Sequence, residues 1–579
     1  MRTHFRGVLA ATVFTIVIVA LAFHAKATAR AVQQASAQPA DLVLTNGKIV
    51  TVEDGAPDAQ AIAVRGTRIV AVGSADAIKA HIGPKTQVID LRGQLVIPGF
   101  VEGHGHFTGI GNTELGLKLM NTTSWEQIVN MVAERVKTAK PGEWIYGRGW
   151  HQEKWTARPN PNVEGFPLHE ALSKVSPNNP VVLTHASGHA SFVNAKAMEL
   201  SGITSATKDP EGGDLIRDAK GNPTGLLRER ASGLVRRGRG APALTPAENE
   251  ARERKIIELA AKEVLSKGVT SFQDAGSSFQ DIDRFKAAAD AGTLGVRLWV
   301  MIRQPNDALR QNLAKYRMIG HADGMLTVRA IKHSIDGALG SRGAWLLEPY
   351  SDKPDDTGDN TTPPATIRET AKLAVEHGYQ LCVHAIGDRA NRETLDIFEE
   401  AFKGRDGKEL RWRVEHAQHL NPADIPRFGK LGVIASMQGI HCTSDAPYVP
   451  ARLGNKRAEE GAYVWQKLMK SGALVTNGTD APVEDVDPIA SYYATVSRKL
   501  KDGTVFYPDQ RMNRMEALRS YTINGARSAF EEDSKGTLKA GKYADIVVLS
   551  KDILTIPEDQ IPTAQVMYTI VGGKVLYKR

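Results

Sequence analysis

Six residues of metal-ligand type recur at the ends of short apolar runs. The run Val96-Ile97-Pro98-Gly99-Phe100 leads into His104-Gly105-His106, and Lys332 lies inside VRAIKHSID. His384 ends LCVHAIGD, His416 ends RWRVEHAQ and Asp480 ends LVTNGTDAP. The strand period of two points His104 and His106 to one side, as a shared divalent ion requires, and Gly105 leaves room for close approach. A lysine in an apolar run costs several kcal/mol to bury unless it is neutralised or paired. Carbamylation of Lys332 by CO2 resolves that cost and creates an anionic oxygen ligand able to bridge two ions. A zinc-like ion on such a set brings the pKa of water towards 7. Asp480, the one carboxylate among the six, can take the proton from that water and hand it to a leaving group. His189 or Arg342 is the expected donor to the developing oxyanion. The pair His441-Cys442 is followed by Thr443-Ser444 and no second cysteine, which argues against a Cys/His site.

These residues need elements that bring them together. VTSFQDAG, VRLWVMI, VRAIKHSIDG, YQLCVHAIG, RWRVEHAQ, VIASMQG and ALVTNGTDAP alternate with helical stretches such as 249–267 and 366–377. Strand-helix alternation over this length predicts an α/β chain built on a (β/α)8 barrel, whose site lies at the C-terminal ends of the strands. Residues 41–97 read as a small antiparallel β unit with turns at Asn46-Gly47 and Arg65-Gly66. The C-terminal part, 530–579, returns to the same idiom with a turn at Gly572-Gly573, so the two ends are expected to form one β-sandwich. The barrel is then 98–529. Residues 107–265 are long for one βα connection and predict a lid-like insertion, with the polar stretch 209–223 exposed on it. No GxGxxG follows the first strand and there is no Walker motif, so nucleotide binding has no support.

The chain has 579 residues, 42% hydrophobic and 24% charged, within the range of globular proteins. Of the eight excess positive charges, four come from Arg2, Arg6, Lys26 and Arg30, and no lysine-arginine block occurs. Nucleic acid, which needs clustered cations, is therefore not an expected partner. Arg2 and Arg6 precede the apolar run 7–23, and small-residue patterns follow at Ala25-Lys26-Ala27 and Ala35-Ser36-Ala37. Residues 1–37 are thus expected to be a signal peptide for periplasmic or secreted export, an uncleaved membrane anchor being the alternative. The two cysteines, Cys382 and Cys442, give no disulfide framework, and Cys382 is expected to be a buried, inert thiol.

LVIPGFVEGHGHF, IKHSIDGALGSRGAWLLEPYSD, VHAIGDRA, RVEHAQ, GTDAPV and KGTLKAGKYADIVVL together resemble the amidohydrolase superfamily, specifically its YtcJ-like amidohydrolase 3 branch. The resemblance runs from Asp41 to Arg579. DGALGSR, EPYSD and HAIGDRA belong to that branch, whereas HxH marks only the superfamily. It implies the same barrel and sandwich, and hydrolysis of a C–N bond by metal-bound hydroxide; one or two divalent ions are expected, zinc first, although His and carboxylate donors also accept Mn, Fe or Co. Carried over, it makes His104 and His106 first-strand ligands, Lys332 the carbamylated bridge, His384 and His416 the fifth- and sixth-strand ligands, and Asp480 the eighth-strand acid. This chain has Glu102 where many members have Asp. GRGWHQEKW, with Trp150 and Trp155, and SGHASFVN, with His189 and Asn194, resemble segments of the branch that suggest pocket-lining roles. Trp345 and Tyr350 are further candidates for an apolar or aromatic subsite. The substrate is a small molecule: an amide, formamide or cyclic amide. An ester or lactone hydrolase on the same metal site and a non-catalytic binding protein stay open as alternatives, and a homodimer is a fair prior.

Overall fold

The computed structural model describes residues 38–56, 58–240 and 244–579. The signal-peptide expectation for residues 1–37 lies outside the described residues. No described helix is long and apolar enough to cross a membrane.

Eight parallel strands of the central sheet form the barrel: β1 Phe100–Gly105, β2 Val269–Ser277, β3 Arg297–Ile302, β4 Leu326–Ser334, β5 Gln380–Ala385, β6 Arg413–His416, β7 Ile434–Gln438 and β8 Val475–Gly478, with the short strand Met318–Gly320 added antiparallel to β4. Each barrel strand pairs in parallel with the next in chain order. The ends β1 and β8 meet through Asp480 N–H donating to His104 O at 2.8 Å and His106 N–H donating to Ala481 O at 2.6 Å. Close approach there needs glycine. A Cβ on Gly103 would lie 2.4 Å from Asn477 O, and one on Gly478 2.7 Å from a Glu102 carboxylate oxygen. The barrel is therefore nearly closed. Its strands are buried almost throughout, as a parallel sheet covered by helices must be. Cys382 and Cys442 are both buried and free.

The helix before β2 runs Pro246–Ser266, three residues earlier than hydrophobic spacing alone predicts. Thr245 caps it in a reciprocal box with Glu248, and Pro246 occupies the first turn, where its missing N–H costs nothing. The helix before β5 likewise starts at Pro364, not Thr366.

Two small sheets lie outside the barrel. One orders Arg68–Gly73, Ala61–Arg65, Leu42–Thr45 and Gln87–Asp90. The other orders Lys48–Ile49, Leu95–Pro98, Ile546–Leu549, Val566–Val571 and Lys574–Lys578, with Leu95–Pro98 antiparallel to Ile546–Leu549. Leu44, Val64, Val96, Ile546 and Ile570 belong to one buried cluster between the sheets. Two sequence expectations change here. Asn46-Gly47 is no hairpin: with Asn46 at φ 58°, the chain crosses there from the first sheet to the second. The sheets are also mixed, because Leu42–Thr45 pairs in parallel with Gln87–Asp90 and Lys48–Ile49 in parallel with Leu95–Pro98. Gly572-Gly573, at φ 52° and 75°, does turn a hairpin.

Between β1 and β2 stands a six-stranded sheet, ordered Leu215–Arg217, Pro223–Arg228, Ala190–Val193, Val181–His185, Ile145–Trp150 and Leu117–Lys118. Trp150, Phe166, Leu183 and Phe192 fill its own core.

Candidate metal centre

The C-terminal ends of β1, β4, β5, β6 and β8 converge on one cluster. His104 and His106 come from β1 and its exit, Lys332 from β4, His384 from β5, His416 from β6, and Asp480 two residues beyond β8. Ring centroids are 4.6 Å apart for His104 and His416, 4.4 Å for His384 and His416, and 5.8 Å for His104 and His106. Asp480 Oδ1 lies 3.2 Å from His106 Nε2 and 3.5 Å from His104 Nε2, and Lys332 Nζ is 3.3 Å from His104 Nε2. His104, His416 and Asp480 are all buried and offer one ligand atom each within 4.8 Å of one another. His416, at φ 75°, and Asp480, at φ 57°, hold left-handed backbone that costs non-glycine residues about 1–3 kcal/mol each. Such strain is typical of functional sites, where surrounding packing imposes it.

Hydrogen bonds on the far side of each ring prepare the donors. His104 Nδ1 bonds the Glu415 carboxylate, and His416 Nδ1 lies 2.7 Å from Gln438 Oε1. With Nδ1–H donating outward, each Nε2 carries its lone pair towards Asp480. Burial, aided by the Lys332 charge, pushes His104 down to about 4, and burial with the neighbouring His104 holds His416 well below the ordinary imidazole range. Both rings are thus neutral, as metal ligands must be. Burial would raise the Asp480 carboxyl, but the His106, His104 and His416 imidazoles beside it hold it well below the usual carboxylate range. Burial lowers Lys332 to about 8. His384 Nε2 and Asp480 Oδ1 are buried without a hydrogen-bond partner, the condition of donor atoms shaped for a cation. The residues fit a divalent metal.

Residues that spacing did not single out support this set. Arg413 Nε contacts Glu415 Oε1 at 2.7 Å, and Arg413 Nη2 donates to Gly103 O and Ser436 Oγ at 2.7 Å, so Glu415 is braced across the barrel. Asp336, which opens DGALGSR, accepts from Ile386, Gly387 and Trp345 N–H at 2.8–3.0 Å, with Oδ1 3.4 Å from His384 Nε2. Burial raises its carboxyl to about 7. Glycines of the same motif make room for Glu229, since a Cβ on Gly337 or Gly343 would lie within 2.6 Å of its Oε1. The motif strings held these signals. Pairing across strands was needed to read them. Glu102 sits beneath, its Oε1 accepting from Thr479, and burial raises it to about 8.

A cavity of about 470 Å3 reaches His106, Lys332, His384, His416 and Asp480, and the inserted sheet supplies His189 and Arg148 to its wall. His189 Nδ1 lies 2.7 Å from Glu229 Oε2. Six expected pocket residues lie elsewhere. Trp150 is fully buried in the core of the inserted sheet, its indole N–H donating to Leu183 O at 2.8 Å, and Trp155 stacks on it at 6.1 Å. Arg342 pairs with Asp352 at 3.0 Å, outside the cavity wall. Asn194 caps the helix Ala195–Ser201. Tyr350 is buried with its hydroxyl donating to Ala344 O, and Trp345 packs under Arg389. Large aromatic residues on amphipathic strands are legible as buried, but not as buried against substrate.

The family model described as "Amidohydrolase family" matches residues 87–577. Protein LONG AFTER FAR-RED 3 of Arabidopsis thaliana is 33% identical over 93% of this chain and 92% of its own length. The putative amidohydrolase YtcJ of Bacillus subtilis is 29% identical over 92% and 98%. The N-substituted formamide deformylase of Arthrobacter pascens is 26% identical over 94% and 99%. Among solved structures, an uncharacterized metal-dependent hydrolase from Pyrococcus furiosus superposes with a TM-score of 0.68 at 28% identity, over 89% of this chain and all of that one.

Proposed function

The chain belongs to the amidohydrolase family, and from that premise we propose that it is an exported hydrolase cleaving a carbon–nitrogen bond of a small amide, formamide or cyclic amide. The observation that carries the reading is the pair of neutral imidazoles, His104 and His416, facing an ionised Asp480 in one buried cluster. A divalent cation, zinc in this proposal, supplies Lewis acidity that lowers the pKa of water towards 7 and polarises a carbonyl. His104, His416 and Asp480 would hold it, with His106 and His384 completing the donor set and Lys332, if carbamylated, adding an anionic oxygen donor for a second ion. Asp480 takes the proton of the attacking water on its carboxylate and delivers it to the leaving nitrogen. His189, aligned by Glu229, stands on the wall as a donor to the carbonyl oxygen. The relative named for formamide deformylation and the relative named as an amidohydrolase support nitrogen as the leaving atom.

Elemental analysis of protein purified without added metal or chelator, wild type beside Lys332→Ala and His104→Ala, is the test. Two ions per chain falling to one or fewer in Lys332→Ala are expected. One ion in both demotes Lys332 to a cavity cation, and an unchanged ratio in His104→Ala removes the first-strand assignment. A panel of matched amides and esters then identifies the leaving atom.

A further inference from the structure

The cavity wall carries more positive charge than the metal cluster requires. Arg148, Arg230 and Arg303 all line it. Among the described residues none of the three pairs with a carboxylate. Arg303, just past the end of β3, has Nη2 donating to Ser334 Oγ at 3.2 Å. Arg148, on the inserted strand Ile145–Trp150, donates to Pro482 O at 3.3 Å and Ala186 O at 3.2 Å. Arg230 Nη2 donates to Thr361 O at 2.6 Å. Every acceptor is neutral. Of the two carboxylates on the same wall, Glu229 is bonded to His189, and the Asp480 charge acts on Arg148, so Arg303 is the cation with no carboxylate facing it. Burial disfavours the His189 imidazolium, but the Glu229 charge more than offsets it and raises its pKa. Burial lowers the Arg303 pKa with no carboxylate acting the other way.

An unpaired guanidinium group facing a cavity attracts an anion, and the guanidinium fork matches a carboxylate in two parallel hydrogen bonds. We propose that the substrate carries a carboxylate, as an N-acyl or N-formyl amino acid does, with Arg303 as its partner, while the scissile amide faces Asp480. A cavity of about 470 Å3 accommodates a molecule of that size. The inference rests on the hydrolase reading above and adds a substrate class to it.

The test compares N-formylphenylalanine with N-formylphenethylamine, which lacks only the carboxylate, and the corresponding N-acetyl pair, on the metal-loaded full chain. Both kcat/KM and binding by calorimetry are measured. The expected result is a preference for the carboxylate member of about tenfold or more, the size of one charged hydrogen-bonded contact. Arg303→Met should bring that ratio close to one, Arg303→Lys should retain part of it, and Arg254→Met, on an exposed helix face, should leave it intact. Hydrolysis of both members at equal kcat/KM, or a ratio indifferent to Arg303, overturns the carboxylate assignment and leaves the amidase reading standing. Saturable binding of the carboxylates that Arg303→Met abolishes, without turnover of either member, keeps the assignment and removes the amidase reading. Neither binding nor turnover of any member overturns both.

Discussion

Asp480 differs from its neighbours in what its removal should do. The Asp480→Asn side chain keeps an oxygen donor among His104, His106 and His416 but cannot accept a proton. Metal content should stay near wild type while kcat falls about 10²–10⁴-fold, the worth of one general acid–base group; full activity with metal retained would remove Asp480 from proton transfer. A second residue speaks to stability. His419 is buried with neither ring nitrogen hydrogen-bonded, and burial pushes it down to about 3. In the unfolded chain it takes its proton near the ordinary value of 6.5. Below that pH the unfolded state binds the extra proton, so this residue's share of stability is present above 6.5 and is lost as pH falls towards 3. Unfolding in denaturant at pH 7 and pH 5 should show a smaller drop for His419→Phe than for wild type, and equal drops would contradict the burial argument.

At the scale of elements, the loops leaving β4 and β5 are fastened to each other. Asp336 on the first accepts from Ile386 and Gly387 on the second, and Gly387 packs so closely that a Cβ there would lie 2.0 Å from Trp345 O. Backbone cannot yield as a flexible side chain does. Gly387→Ala should therefore cost about 1–3 kcal/mol or more in folding stability and displace His384, three residues away. Thermal unfolding together with metal stoichiometry checks this, and a variant as stable and metal-rich as wild type would show that the loops can separate. The same logic explains why HAIGDRA and DGALGSR were legible as motifs while the bonds from Ile386 and Gly387 to Asp336 were not. A glycine in a string announces close approach, but its partner is named only when two strands lie side by side.

The whole molecule is closed by its ends. Arg297, at the start of β3, pairs with Asp545 at 2.7 and 3.2 Å, the two being 2% and 5% exposed, and its guanidinium lies 3.6 Å from the centre of the Tyr543 ring. Asp545→Ala leaves that cation buried and unpaired, which typically costs about 3–5 kcal/mol. It lies at the opposite end of β3 from Arg303. The expected outcome is a clearly lowered Tm with unchanged metal per folded chain. Loss of metal at full stability would mean that the outer sheets act on the site itself.

The sequence by itself determined the strand-helix alternation, the barrel, the joining of the two ends and the six polar residues at strand termini, because hydrophobic periodicity and motif strings are local properties. Tertiary structure alone decided that Leu42–Thr45 and Lys48–Ile49 part at Asn46 into different sheets, that Trp150 and Trp155 fill the inserted sheet, and that Arg342 turns to Asp352. It also decided that Glu415, Asp336, Glu229 and Arg303 join the site. Each of those outcomes depends on which surfaces meet across the barrel, and contacts between residues tens to hundreds of positions apart leave no period in the chain that makes them.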